Sequence, residues 1–408
     1  MGNGLRVVHV QDSSTQMVAV NVLYDVGSRD EHPEHTGFAH LFEHLMFGGS
    51  AHVPDFDIPL QRAGGESNAW TNTDVTNFYE TLPSHHIETA LWMESDRMMS
   101  LDLSPKSLEV QRSVVMEEFK QRCMNRPYGD VQHLMLPLCY QVHPYQWPVI
   151  GKELSHIANA TLEEVHNFYH RFYGPNHAIL AITGNISWKD TIRLVEKWFG
   201  DIAPGNEQVR ALPQEPPQTE QRRLSVERPV PQDALYISFH TSPYMHPDFY
   251  ASDIISDLLC NGDSSRLKQK LIHEQELFTM IDAPLSGTRD AGTLEIKGKL
   301  RQGVSAEQAE EAIWNVLNEL MLQPVGSYEL EKVKNKFESV QTFSNISYQR
   351  LAYRLAWYEL NDRAELLNEE LDLYRATRSD DVMRIAQQIF RPDNASVLYY
   401  RKMKQTAP

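Results

Sequence analysis

Five consecutive residues carry the clearest chemistry in this chain: His40-Leu41-Phe42-Glu43-His44. On a helix, side chains four positions apart share a face, so both imidazoles can reach one metal ion. Glu43 lies beside His44 and about one turn from His40. A carboxylate there can take a proton from the attacking water without itself being a ligand. Two imidazoles do not hold zinc tightly, so a third protein ligand is needed, with the fourth position left open for catalysis. Downstream, Val114-Val115-Met116-Glu117-Glu118-Phe119 supplies two candidate carboxylates. Helical period alone does not choose between Glu117 and Glu118. Gly48-Gly49 follow the motif and end its helix with residues that tolerate left-handed dihedrals.

The elements that must position these groups can be read from the pattern. Met17–Tyr24 alternates and is valine-rich, as a strand does; Leu5–Val10, Asn77–Leu82, Ala178–Ile182, Ala234–His240 and Leu294–Leu300 also read as strands. Ile87–Met99 has helical spacing, and Ser104-Pro105 makes a cap and first turn for a helix running to about Cys123. Further helices are expected over Ala306–Leu322, Tyr328–Val340 and Ser347–Leu360. The chain has 408 residues, more than one hydrophobic core usually supports. A proline-rich polar stretch near its midpoint reads as a linker. Arg171–Leu180 and Ile389–Leu398 both read as a helix end, a Pro/Asn turn and a strand. Their offset is one half-chain, as a duplication predicts. The expected class is α+β, with two tandem homologous domains, each a mostly antiparallel sheet packed with helices. The expected boundaries are 1–203 for the domain with the metal motif, 204–223 for the linker, and 224–408 for a second domain lacking it.

Composition excludes several alternatives. A net charge of −17 leaves nothing to neutralise phosphates, so nucleic acid is not an expected partner. No run of 18 apolar residues suggests a membrane span. The three cysteines, Cys123, Cys139 and Cys260, have neither disulfide-framework nor zinc-ligand spacing. The N-terminus shows no charged-then-apolar leader, so the expected location is cytoplasmic, or periplasmic or organellar if a leader has been removed. His166/His170 read as a solvated helix face, His85-His86 as surface, and the pairs His32/His35 and His143/His156 suggest no metal spacing. Tyr348, Tyr353, Trp357 and Tyr358 fall at helical spacing and read as core or chamber wall.

Taken together, His40–His44, the glutamate about 75 residues later, Val26-Gly27-Ser28-Arg29, Gly64-Gly65, Asn68-Ala69-Trp70-Thr71 and Ser264-Ser265-Arg266-Leu267 resemble the pitrilysin/insulinase family of zinc peptidases. The resemblance spans both halves. It implies one zinc ion per chain on His40, His44 and Glu118, with Glu43 as general base. It places Gln111 where relatives often have a supporting glutamate. It also implies a sheet edge over Glu66–Glu80 that takes an extended peptide as an added strand, with Asn68, Ala69 and Trp70 near the cleaved bond. The expected activity is zinc-dependent endoproteolysis of short or unfolded peptides.

One departure from the family pattern carries its own expectation. Single-chain relatives supply an arginine and a tyrosine from the second domain to hold the substrate and the developing oxyanion. The matching positions here are Ile272 and Thr279, and no arginine in the chain has a tyrosine seven residues later. A homo- or heterodimeric partner subunit is therefore expected to donate that pair. A non-catalytic structural or peptide-binding subunit is the alternative expectation.

Overall fold

The computed structural model describes residues 1–206 and 210–403, so residues 207–209 of the expected linker lie outside the described residues. The first sheet contains β1 (Arg6–Gln11), β2 (Met17–Tyr24), β3 (Glu66–Thr71), β4 (Thr76–Pro83) and β5 (Ala178–Gly184) in the order β1-β5-β2-β4-β3. The second contains β6 (Arg222–Arg228), β7 (Ala234–His240), β8 (Phe278–Asp282), β9 (Thr293–Leu300) and β10 (Ala395–Lys402), ordered β6-β10-β7-β9-β8. In each, one outer pair is parallel, β1 with β5 and β6 with β10, and every other pairing is antiparallel. β2, β4 and β5 begin 217 residues before β7, β9 and β10, which is the spacing of a duplicated fold. The chain is thus α+β with two sheet-and-helix halves of one topology.

The compact units, however, do not follow the chain halves. The first comprises Met1–Arg122, Trp147–Leu212 and Thr342–Asn368; the second comprises Cys123–Gln146, Pro213–Gln341 and the chain from Glu369 on. The departure from boundaries at 204–223 has a physical cause in the sheets. Every residue of β5 is buried, and so is all of β2 after Met17, so both faces of the first sheet must be covered. One face carries Val18, Val20, Val22, Tyr24, Leu180 and Ile182 into the main core of the first unit. The helix Tyr348–Leu360 packs on β2 and β5, and the Thr183 hydroxyl donates to the Tyr348 carbonyl at 2.8 Å. Within the same sheet, Asn21 and Asn77 exchange side-chain hydrogen bonds at 2.8 and 3.1 Å. This satisfies two buried amides that would otherwise be costly.

The second unit repeats the device in reverse. Leu235, Ile237, Phe239, Leu294, Ile296 and Val397 enter its main core. Ala234, Tyr236, Leu398 and Tyr400 instead cluster with Val131, Met135 and Cys139 of the helix Val131–Cys139. Each sheet is therefore closed by a helix that the sequence encodes in the opposite half. Among the described residues no helix is long and apolar enough to cross a membrane, and Cys139 and Cys260 are buried free thiols.

Candidate active site

The helix Phe38–Leu45 carries the motif and begins at Gly37, whose φ of 88° is left-handed. A Cβ at Gly37 would lie 2.7 Å from Ile157 Cδ1 and 2.9 Å from the Ile150 carbonyl, so this position requires glycine. The buried Glu31 carboxylate accepts the backbone N–H groups of Gly37 and Ala39, each at 2.9 Å, which satisfies two donors of the helix start. At the other end, Gly49 has a φ of +106° while Gly48 is not left-handed. Gly48 serves close approach instead: a Cβ there would meet Ser107 Oγ at 2.8 Å and Gln111 Nε2 at 3.8 Å. The contact brings the helix Pro105–Phe119 against the motif. That helix starts as expected, with Ser104 accepting the Ser107 N–H and Pro105 at its first position.

The approach places Glu118 Oε2 3.6 Å from His40 Nε2 and 3.2 Å from His44 Nε2. Donors on a tetrahedral ion with arms of about 2.0–2.2 Å stand about 3.4 Å apart. The carboxylate oxygen stands near this spacing from both imidazole nitrogens, and all three donors lie within 4.8 Å of one another, a set that fits a zinc-like ion. Burial, with help from the neighbouring His44, pushes the His40 imidazole down to about 4, so its ring is neutral near pH 7 and offers a lone pair. Glu117 points away: its side chain is 57% exposed and lies 3.6 Å from Lys120, against 21% exposure for Glu118. Gln111 sits two turns before Glu118, its amide beside Gly48.

Glu43 is half-buried on the same helix and accepts a 2.7 Å hydrogen bond from the Thr71 hydroxyl. Burial raises its carboxyl above the ordinary glutamate range, with Thr71 opposing. A carboxylate so poised can accept a proton and return it. Thr71 closes β3, the outermost strand of the first sheet, which among the described residues pairs with β4 alone. Asn68 is exposed on this strand, and its side-chain oxygen takes the Ala69 N–H at 2.8 Å. Trp70 meets Tyr353 edge-to-face, ring centroids 4.9 Å apart.

Three residues here make contacts that sequence reasoning did not assign. Arg122 pairs with the other oxygen of Glu118, Oε1, at 2.5 Å; its position four residues on is a helix-face signal that could have found it. Thr71 lies inside the quoted motif without an assigned role. Tyr353 comes from the distant helix Tyr348–Leu360, and no local signal links it to Trp70. In the second unit, Ile272 packs against the core, and Thr279 accepts a hydrogen bond from the Gln232 amide at 2.6 Å.

Comparison with known proteins gives a consistent likeness. Residues 6–150 match a family model described as Insulinase (Peptidase family M16), and residues 159–337 match one described as Peptidase M16 inactive domain. The zinc protease PqqE of Helicobacter pylori is 27% identical over 406 residues, covering 98% of this chain and 91% of the relative. YmxG of Bacillus subtilis, described as an uncharacterized zinc protease, is 27% identical over 402 residues, covering 97% and 96%. The crystal structure of a protease from Helicobacter pylori aligns with a TM-score of 0.92 at 27% identity, covering 98% of this chain and 97% of that one.

Proposed function

This chain belongs to the insulinase family of peptidases (peptidase family M16), and on that premise we propose that it is a zinc-dependent endopeptidase acting on short or unfolded peptides. The observation that carries this reading is the convergence of His40, His44 and Glu118, their donor atoms within 4.8 Å of one another, with Glu43 held alongside by Thr71. The names of the two relatives, both zinc proteases, favour zinc as the ion.

His40, His44 and Glu118 are the proposed ligands, one ion per chain, and Glu43 is the proposed base. The ion would supply Lewis-acid polarisation of the scissile carbonyl and of the attacking water. Glu43 accepts the proton of that water and later delivers it to the leaving amine; its raised affinity for a proton suits both transfers. Arg122 holds Glu118 Oε1, leaving Oε2 toward the imidazoles. The open edge at β3 orients an extended peptide by main-chain hydrogen bonds along Asn68, Ala69 and Trp70. A folded substrate cannot present such a strand, hence the restriction to short or unfolded chains.

Ile272 and Thr279 stand where single-chain relatives are expected to carry arginine and tyrosine. Losing one oxyanion donor costs about 100- to 1000-fold in rate, so a related subunit is proposed to supply both groups. The test is peptide hydrolysis by the zinc-loaded chain, alone and mixed with the nearest related subunit of its source, with Glu43→Gln as control. Activity in the mixture that the substitution abolishes is the expected result. Full activity alone would refute the shared site and keep the peptidase. Zinc binding without turnover in either arm would favour the second reading, a non-catalytic peptide-binding or structural subunit. The description of the model over residues 159–337 as an inactive domain is what recommends that reading.

A further inference from the structure

We propose that His32, Glu34 and His35 form a second site for a divalent transition-metal ion, on the loop that leads into the His40 helix. Among the described residues, two groups of three ligand-bearing side chains have donor atoms within 4.8 Å of one another: the His40 set, and this one. The turn at Pro33-Glu34 creates the second group. His32 and His35 pair as an isolated antiparallel bridge, the His35 N–H donating to the His32 carbonyl at 2.8 Å. Their ring centroids stand 5.7 Å apart.

The ring of His35 is already oriented for coordination. Its Nδ1 lies 3.2 Å from Glu164 Oε1, leaving Nε2 for a ligand. Glu164 is itself anchored, its other oxygen accepting the Thr161 backbone N–H and hydroxyl, both at 2.8 Å. A carboxylate that fixes the second nitrogen is the usual outer support of a metal-binding histidine. His32 is less constrained: its Nδ1 accepts only a long, 3.3 Å hydrogen bond from the Glu34 N–H. The donors already lie within 4.8 Å of one another, and exposed His32 and Glu34 can rotate to the tetrahedral spacing of about 3.4 Å. Two imidazoles and one carboxylate favour zinc, nickel or copper over magnesium or calcium.

The site's position gives it a consequence. The residue before it, Glu31, accepts the Gly37 and Ala39 N–H groups and the Trp147 indole N–H at 3.1 Å. An ion across His32 and His35 would tie together the loop that holds the start of the His40 helix, stabilising the folded state by mass action.

The test uses the full chain dialysed against excess zinc and then analysed for metal. Wild type is expected to hold two ions per chain, His32→Ala/His35→Ala one, and His40→Ala/His44→Ala one. Glu34→Gln, at an exposed position, should lose the second ion at a lower chelator concentration than wild type does. Excess magnesium should displace neither ion. One ion in wild type, with the same count in His32→Ala/His35→Ala, would overturn the proposal. So would two ions in that variant, because the second would then sit elsewhere. The count in the His40→Ala/His44→Ala variant reports on the first site separately, so failure of one reading does not hide the other.

Discussion

Glu117 and Glu118 are identical side chains one residue apart, yet only one approaches the imidazoles. The reason is geometric: Gly48 lets the helix Pro105–Phe119 come close along the face bearing Gln111 and Glu118, and Glu117 falls on the solvent side beside Lys120. Glu118→Gln should therefore weaken zinc retention against a chelator by at least about 100-fold, beyond the 10- to 100-fold typical of an outer-shell partner. Glu117→Gln should leave it unchanged. Equal losses in both would mean that the ion is not held by Glu118. The residues spaced along one helix were legible because helical period fixes which side chains share a face. Arg122 was legible in principle for the same reason. Thr71, Tyr353 and the group at His32, Glu34 and His35 were not. Their partners are set by a strand end, a helix residue 283 positions from Trp70 in sequence, and a turn whose bridge no periodicity announces.

Strands and helices were read well where one pattern governs them. Met17–Tyr24, Ala234–His240 and Ala306–Leu322 have the bounds that alternation or helical spacing predicts. The short edge strand β3 is different. Its residues alternate between exposed and half-buried before settling half-buried, and the proposed strand addition would rest on backbone groups that the sequence does not distinguish. The Ala69 N–H is met by the side chain of Asn68. If a peptide adds at this edge, Ala69→Pro removes a donor to it and should lower kcat/KM about tenfold, the worth of one hydrogen bond. Circular dichroism should remain that of wild type; an intact fold with unchanged kcat/KM would rule out strand addition here.

A second prediction at this scale concerns packed helices. Asp253, on the helix Phe249–Cys260, accepts a 2.6 Å hydrogen bond from Tyr374 of the helix Leu366–Ala376. Burial raises its carboxyl to about 6, the neighbouring Asp257 and Glu370 add to the rise, and Tyr374 and Lys336 oppose it. The folded state therefore holds this proton where the unfolded chain releases it. The contribution to stability is full below about pH 4 and is lost as pH rises through about 6, amounting to about 3 kcal/mol. Asp253→Asn should gain on wild type by up to that amount between pH 5 and 8, measured as the difference in urea stability. A difference that stays constant with pH would contradict the assignment.

At the scale of the whole molecule, the duplication was legible in the two helix–turn–strand segments one half-chain apart, whose strands begin 217 residues apart, but the exchange of helices was not. A proline-rich polar stretch in the sequence shows where hydrophobic periodicity lapses, not which half supplies the cover for a sheet face. Ala19, Leu23, Ile179 and Ala181 are fully or almost fully buried, and the helix Tyr348–Leu360 packs over β2 and β5. Ala352, Ala356 and Leu360 of that helix are themselves buried. Stripping it from the sheet would expose apolar surface worth on the order of 5–10 kcal/mol, as large as the whole stability of a typical domain. Residues 1–223 expressed alone should thus fail to melt cooperatively and should bind a hydrophobic dye, although they include the entire first sheet and the His40, His44 and Glu118 set. The same fragment joined to residues 342–368 through a flexible linker should regain a cooperative transition and, with it, zinc retention. A cooperative melt of 1–223 at the temperature of the full chain would mean that the first sheet does not depend on its borrowed helix.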